Sequence, residues 1–143
     1  MELNDINKLN PSSLCDKMVE ISEFCRVNNN NFLLLEAIWP DCDNHFLMEG
    51  IQLIVDGTEY DVLLKFLEIR LQTYIGDHHK RHFIQKILIP HSFYDKITCL
   101  KIIKTALEEI AQKSNPRIVL HFCKAHINRY IDTYDNSGVK LKY

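Results

Sequence analysis

Apolar residues in this chain recur mostly three and four positions apart, the spacing that gathers them on one side of a helix. Leu14, Met18, Ile21 and Cys25 form the first such stripe. Ser12 or Ser13 is predicted to cap its start, just after Pro11. Asn28–Asn31 should end it, because consecutive asparagines favour turns and caps over helix interior. A short helix over Phe32–Ile38 is then predicted to stop before Pro40, since proline disfavours helix at the preceding residue. Asp41–Asn44 reads as a loop able to cap the next segment, Phe46–Val55.

Asp56-Gly57-Thr58-Glu59 punctuates the pattern, with Gly57 suited to a left-handed helix end and Thr58 to a new cap. The next helix is predicted from Glu59 to near Lys86, with Leu63, Leu64, Phe66, Leu67, Leu71, Tyr74 and Ile75 on its apolar face and Gly76 as a weak point. Pro90, His91 and Ser92 should break the chain. A further helix over Phe93–Lys113 has Ile97, Leu100, Ile103, Leu107 and Ile110 in phase. Ser114-Asn115-Pro116 pairs a capping residue with proline at a first helical position. The last helix is expected to turn Ile118, Val119, Phe122, Ile127, Tyr130 and Tyr134 inward and to fray into a polar tail. Strand-like alternation is confined to Gln52–Val55 and Arg117–Leu120. The pattern predicts an all-α bundle of five or six helices, one domain over residues 1–134, and a tail over 135–143.

Composition narrows the function classes. The 143 residues, 46% hydrophobic and 25% charged, suit a single globular core. A formal net charge of −2 supplies no field for steering onto nucleic acid. The five cysteines (Cys15, Cys25, Cys42, Cys99, Cys123) are odd in number and sit in apolar contexts, as free thiols in a reducing, cytoplasmic setting would. Met1–Asn10 lacks the basic and apolar segments of a signal peptide. The longest apolar runs, Phe32–Leu35 and Ile87–Ile89, fall far short of the ~20 residues a membrane-spanning helix needs.

Several segments occur in an order that resembles the cytoplasmic parts of the flagellar stator A-subunit family (MotA/PomA). Lys17–Arg26 is similar to the family's L-x-x-x-x-E-x-A-R helix, and Phe32-Leu33-Leu34-Leu35-Glu36 to its L-L-x-L-E segment. Phe46-Leu47-Met48-Glu49-Gly50-Ile51-Gln52-Leu53-Ile54-Val55-Asp56-Gly57-Thr58-Glu59 matches F-L-x-x-G-x-x-x-x-V-D-G-T-D without a gap. His78-His79-Lys80-Arg81-His82 resembles the end of the loop's long helix, and the segment ending Asn115-Pro116-Arg117 resembles the tail's N-P-R. The matches run over residues 14–83 and 101–127, without the membrane helices that the family has between them. The resemblance implies a helical protein-binding surface with no ion path. It also implies that Arg26 and Glu36, with Lys80 and Arg81, contact a rotor, motility or secretion component. The asparagine run lengthens the spacing between Arg26 and Glu36 and so changes their relative placement.

Other chemistry is thinly represented. His78 and His82 lie one helical turn apart, but Lys80 and Arg81 between them oppose a cation, and a solvated basic helix end is the better reading. Cys123 with His126, and Cys42 between Asp41 and Asp43, form no complete ligand set, so the cysteines read as small buried hydrophobes. No nucleophile turn, oxyanion loop or phosphate-binding glycine motif is present, and no cofactor is implied. The expectation is a non-enzymatic binding module, monomer or weak dimer, peripheral to a membrane complex at most. A small helical adaptor or chaperone, or a metal-binding or Cys/His enzyme, are the alternatives.

Overall fold

The computed structural model describes residues 1–82 and 90–127, and among them lie five α-helices. These are α1 (Pro11–Val27), α2 (His45–Val55), α3 (Tyr60–His82), α4 (Pro90–Ala111) and α5 (Pro116–Ala125), with a 3-10 turn before α1 at Ile6–Lys8 and two between α1 and α2 at Phe32–Ala37 and Trp39–Asp41. No strand occurs among the described residues, and the two strand-like stretches lie inside α2 and α5. The protein is an all-α bundle. None of its described helices is long and apolar enough to cross a membrane.

Local chemistry sets the helix ends. Asn10, rather than Ser12 or Ser13, caps α1: its extended backbone leads into Pro11, and its Oδ1 accepts from the Ser13 amide at 2.8 Å. Proline fits the first helical position, so the cap falls on the residue before it. At the other end Asn29 and Asn30 adopt φ of 56° and 55°, and the Asn30 amide donates to the Cys25 carbonyl at 2.7 Å. Asn44 caps α2 by accepting from the Leu47 amide at 2.9 Å. Gly57, at φ 72°, closes α2 while the Gly57 and Thr58 amides donate to Ile54 and Leu53. The first bond of α3 runs from the Leu63 amide to Glu59, so Glu59 rather than Thr58 stands at its cap.

Two further boundaries differ from expectation. Pro90 opens α4 instead of only interrupting the chain, which suits a residue with fixed φ and no amide hydrogen. The predicted Phe32–Ile38 helix is a 3-10 turn, and Pro40 lies within a second one. Only Leu35 of the first turn is buried, while Leu33 and Leu34 face solvent, so no apolar stripe holds a regular helix there.

The core is organised around α4, which packs against each of the other four α-helices. Besides the predicted Leu100, Ile103, Leu107 and Ile110 it buries Ile102 and Ala106, because neighbours cover more than one of its sides. Helix α5 closes the bundle by packing on both α1 and α4. Its inward residues are Pro116, Val119 and Cys123, whereas Ile118 and Phe122 are 42% and 49% exposed. The predicted phase was therefore wrong for those two: the small side chains face inward, where α5 is wedged between two helices. Tyr130 and Tyr134, like the tail, lie outside the described residues.

The start of the chain also enters the core. Leu3 and Ile6 are buried, although this segment shows no helical periodicity. Asp43 holds it there, accepting from the Ile6 amide at 2.8 Å and from the Asn7 amide, while its own amide donates to the Leu3 carbonyl at 3.2 Å. Burying two such aliphatic side chains contributes about 1.5–3 kcal/mol each.

Candidate functional site

Arg26 occupies the last turn of α1, directly before the asparagine turn, and its side chain is exposed. Across the α1–α5 interface, the Asn115 cap and Pro116 start α5 and put Arg117 in its first turn. Glu23, Arg26 and Val27 of α1 and Asn115, Pro116 and Arg117 together line an open cleft of about 640 Å³. Its walls carry two guanidinium groups and one carboxylate. Its apolar edge is Val27, which is 77% exposed. Leu33, 61% exposed, and Leu34 follow on the adjoining turn.

The sequence-predicted residues do not all converge on this cleft. Arg26 lines it, but Glu36 stands exposed on the 3-10 turn that packs against α1 and α2, outside the lining. Lys80 and Arg81 belong to the last turn of α3, and their side chains, with those of His78 and His82, lie outside the described set. Arg117 and Glu23 were missed as site residues. The signal for Arg117 was available, because a cap-proline-basic run fixes a charged residue in a helix's first turn.

The cleft arginines differ from the charges that serve the fold. Among the described residues, Arg70 forks onto Glu49 with two bonds of 2.9 Å, donates to the Tyr74 hydroxyl, and lies 4.7 Å from that ring's centre. Lys104 of α4 bridges to Glu108 on its own helix and to Glu68 of α3 at 3.5 Å. Arg26 and Arg117 take part in no ion pair among the described residues. Their charge is available to a visiting group.

The thiols and the described histidine at the α4–α5 junction have structural surroundings. Burial pushes the Cys25 and Cys99 thiols up to about 11, so both stay protonated and weakly nucleophilic at neutral pH. Cys42 is raised by burial and donates to the Asn44 carbonyl at 3.4 Å, while neighbouring Asp43 is committed to the chain's first residues. His126 Nε2 lies 2.6 Å from the Thr105 hydroxyl. Among the described residues no group of three or more His, Cys, Asp or Glu is placed to hold a metal ion. Compared with protein-family models, curated proteins and solved structures, the chain matches none.

Proposed function

We propose that the chain is a non-enzymatic protein-binding module whose contact surface is the corner between the end of α1 and the start of α5. The observation that carries this reading is that Arg26 and Arg117 line one cleft beside the exposed Val27. These two arginines come from the two separate stretches that resemble stator A-subunits. The partner is then a rotor, motility or secretion component, and the chain acts as a monomer or weak dimer in the cytoplasm. Exposed charges of this kind orient a partner and speed its approach more than they add affinity. Glu36, Lys80 and Arg81 belong to the same reading as further contacts on neighbouring elements.

The test is capture of purified rotor or secretion components by the wild type and by Arg26→Glu, Arg117→Glu and Glu36→Lys. The reading expects each arginine reversal to reduce capture about tenfold or more, with the loss shrinking as salt is raised. Unchanged capture by both arginine variants removes the cleft from the contact surface. Ile118 and Phe122 support a second reading, a helical adaptor, because an exposed apolar pair one turn apart suits a partner's groove or helix. Under that reading Phe122→Ser, not Arg26→Glu, abolishes capture.

A further inference from the structure

We propose that two copies of this chain pair through one end of the bundle, the acidic corner between α2 and α3 of each copy docking on the Arg26–Arg117 cleft of the other. Asp56, Glu59 and Asp61 are exposed around the turn that joins α2 to α3. No basic residue occurs between Glu49 and Lys65 in the sequence, and none of the three acids takes part in an ion pair among the described residues. Val62, beside them, is 53% exposed. The cleft answers with Arg26 and Arg117 against the single carboxylate of Glu23, with exposed Lys113 on the turn leading into it, and with Val27 at its edge. Each corner thus joins uncompensated charge of one sign to an exposed valine.

Both corners lie at the same end of the bundle. Gly50, near the end of α2, meets Leu107, near the end of α4. Glu68, in the first half of α3, reaches Lys104, in the second half of α4, at 3.5 Å. The end of α2, the start of α3 and the end of α4 are therefore level. Helix α5 starts just beyond α4, and its first turn faces the end of α1 across the cleft. Between the corners stands α4, with α1 and α5 on one flank and α2 and α3 on the other.

That placement decides the kind of assembly. Complementary patches on opposite ends would link copies head to tail, whereas patches side by side on one end close into a two-fold pair. Rotation about an axis near the end of α4 lays each acidic corner over the other copy's cleft, so every contact is made twice. The corners are roughly two helix spacings apart, about 20 Å, which makes a small, polar contact. Pairing is consequently weak and salt-dependent. It also covers the arginines, so a second copy competes with any other partner for the cleft. The inference uses the cleft of the proposed contact surface but not the identity of what that surface binds.

Sedimentation equilibrium of the full chain from about 10 µM to about 1 mM tests it. The expected result is a monomer–dimer equilibrium that weakens about tenfold or more as salt rises from about 50 mM to about 500 mM. Arg26→Glu with Arg117→Glu, and separately Asp56→Lys with Glu59→Lys, should each weaken pairing about tenfold or more while keeping wild-type helicity in circular dichroism. Asp61 is left in place because it also favours the first turn of α3. Neutral Arg26→Gln with Arg117→Gln, which adds no repulsion, should shift the equilibrium in the same direction. Mixing the two charge-reversed chains should restore dimers, since opposite charges then face each other at both contacts. The lysine variant keeps its cleft and should capture a rotor or secretion component like wild type, so pairing and partner capture are read separately. A wild type that stays monomeric throughout, a dimer indifferent to salt or to both reversals, open chains in place of dimers, or a mixture that stays monomeric overturns the proposal.

Discussion

Gly50 and Leu107 meet so closely that the leucine side chain occupies the space a β-carbon on residue 50 would need. That carbon would fall 3.1 Å from Leu107 Cδ2 and 3.2 Å from its Cγ, and closer still to Cδ1. Helix α2 therefore approaches α4 through a position without a side chain. Leu107 is only 1% exposed and has little room to swing away. Gly50→Ala gains up to ~1 kcal/mol of helix propensity but costs about 1–3 kcal/mol of overpacking. The expected outcome in urea denaturation is a net loss, deepened by Gly50→Val. Combining Gly50→Ala with Leu107→Val should recover part of it.

The fork from Arg70 to Glu49 ties α3 to α2, and the Arg70 group also lies over Tyr74, whose ring packs 5.6 Å from Phe46. Planar two-point bonding and stacking are properties of a guanidinium, not of an ammonium. Arg70→Lys is thus expected to behave nearly like Arg70→Ala, each losing about 1 kcal/mol in chemical denaturation. Full retention of stability by the lysine variant would contradict this.

One carboxylate, that of Asp43, accepts both amide bonds that fix the turn at Ile6 and Asn7. Asp43→Ala removes the acceptor for the Ile6 and Asn7 amides and should cost about 1–3 kcal/mol. The effect should be local. Hydrogen exchange over residues 3–9 should accelerate strongly while α4 stays protected, and Asp43→Asn should retain part of the protection.

Helix α5 carries a pH dependence through His126. Burial, then Lys101 and Lys104, lower its pKa from the ordinary 6.5, with Glu108 opposing them and Thr105 bonded to the ring. A depressed value means the unfolded chain takes up the proton first as pH falls. The contribution of His126 to stability is therefore complete above about 6.5 and is lost progressively below it, until the folded-state value is passed. Wild type should lose more stability than His126→Gln between about pH 7.5 and about pH 5.5. Equal losses in parallel urea titrations would remove His126 as a cause.

Sequence reading succeeded where one residue type carries the physics. The asparagine run, Gly57 and Asn115-Pro116 fall at element ends because left-handed backbone, caps and fixed φ select those residues. The stripe on α1 was equally legible, since α1 buries one continuous side. Periodicity misled for α5, where the bulky Ile118 and Phe122 look like core but the narrow inner position takes Val119 and Cys123. It was silent for Leu3 and Ile6, whose segment is bonded to Asp43, about forty residues away in sequence. The site was half visible. Arg26 stood out by resemblance, but its pairing with Arg117 requires α1 and α5 to lie together, a long-range fact that local patterns do not encode.

That α1 and α5 share an interface also bears on how the protein is made. During synthesis the apolar flank of α1 emerges early, yet α4 and α5, which cover it, are translated roughly 60 to 100 residues later, so the nascent chain must shelter or tolerate that flank for several seconds. Cutting away α5 should therefore leave a sticky intermediate rather than a smaller working domain.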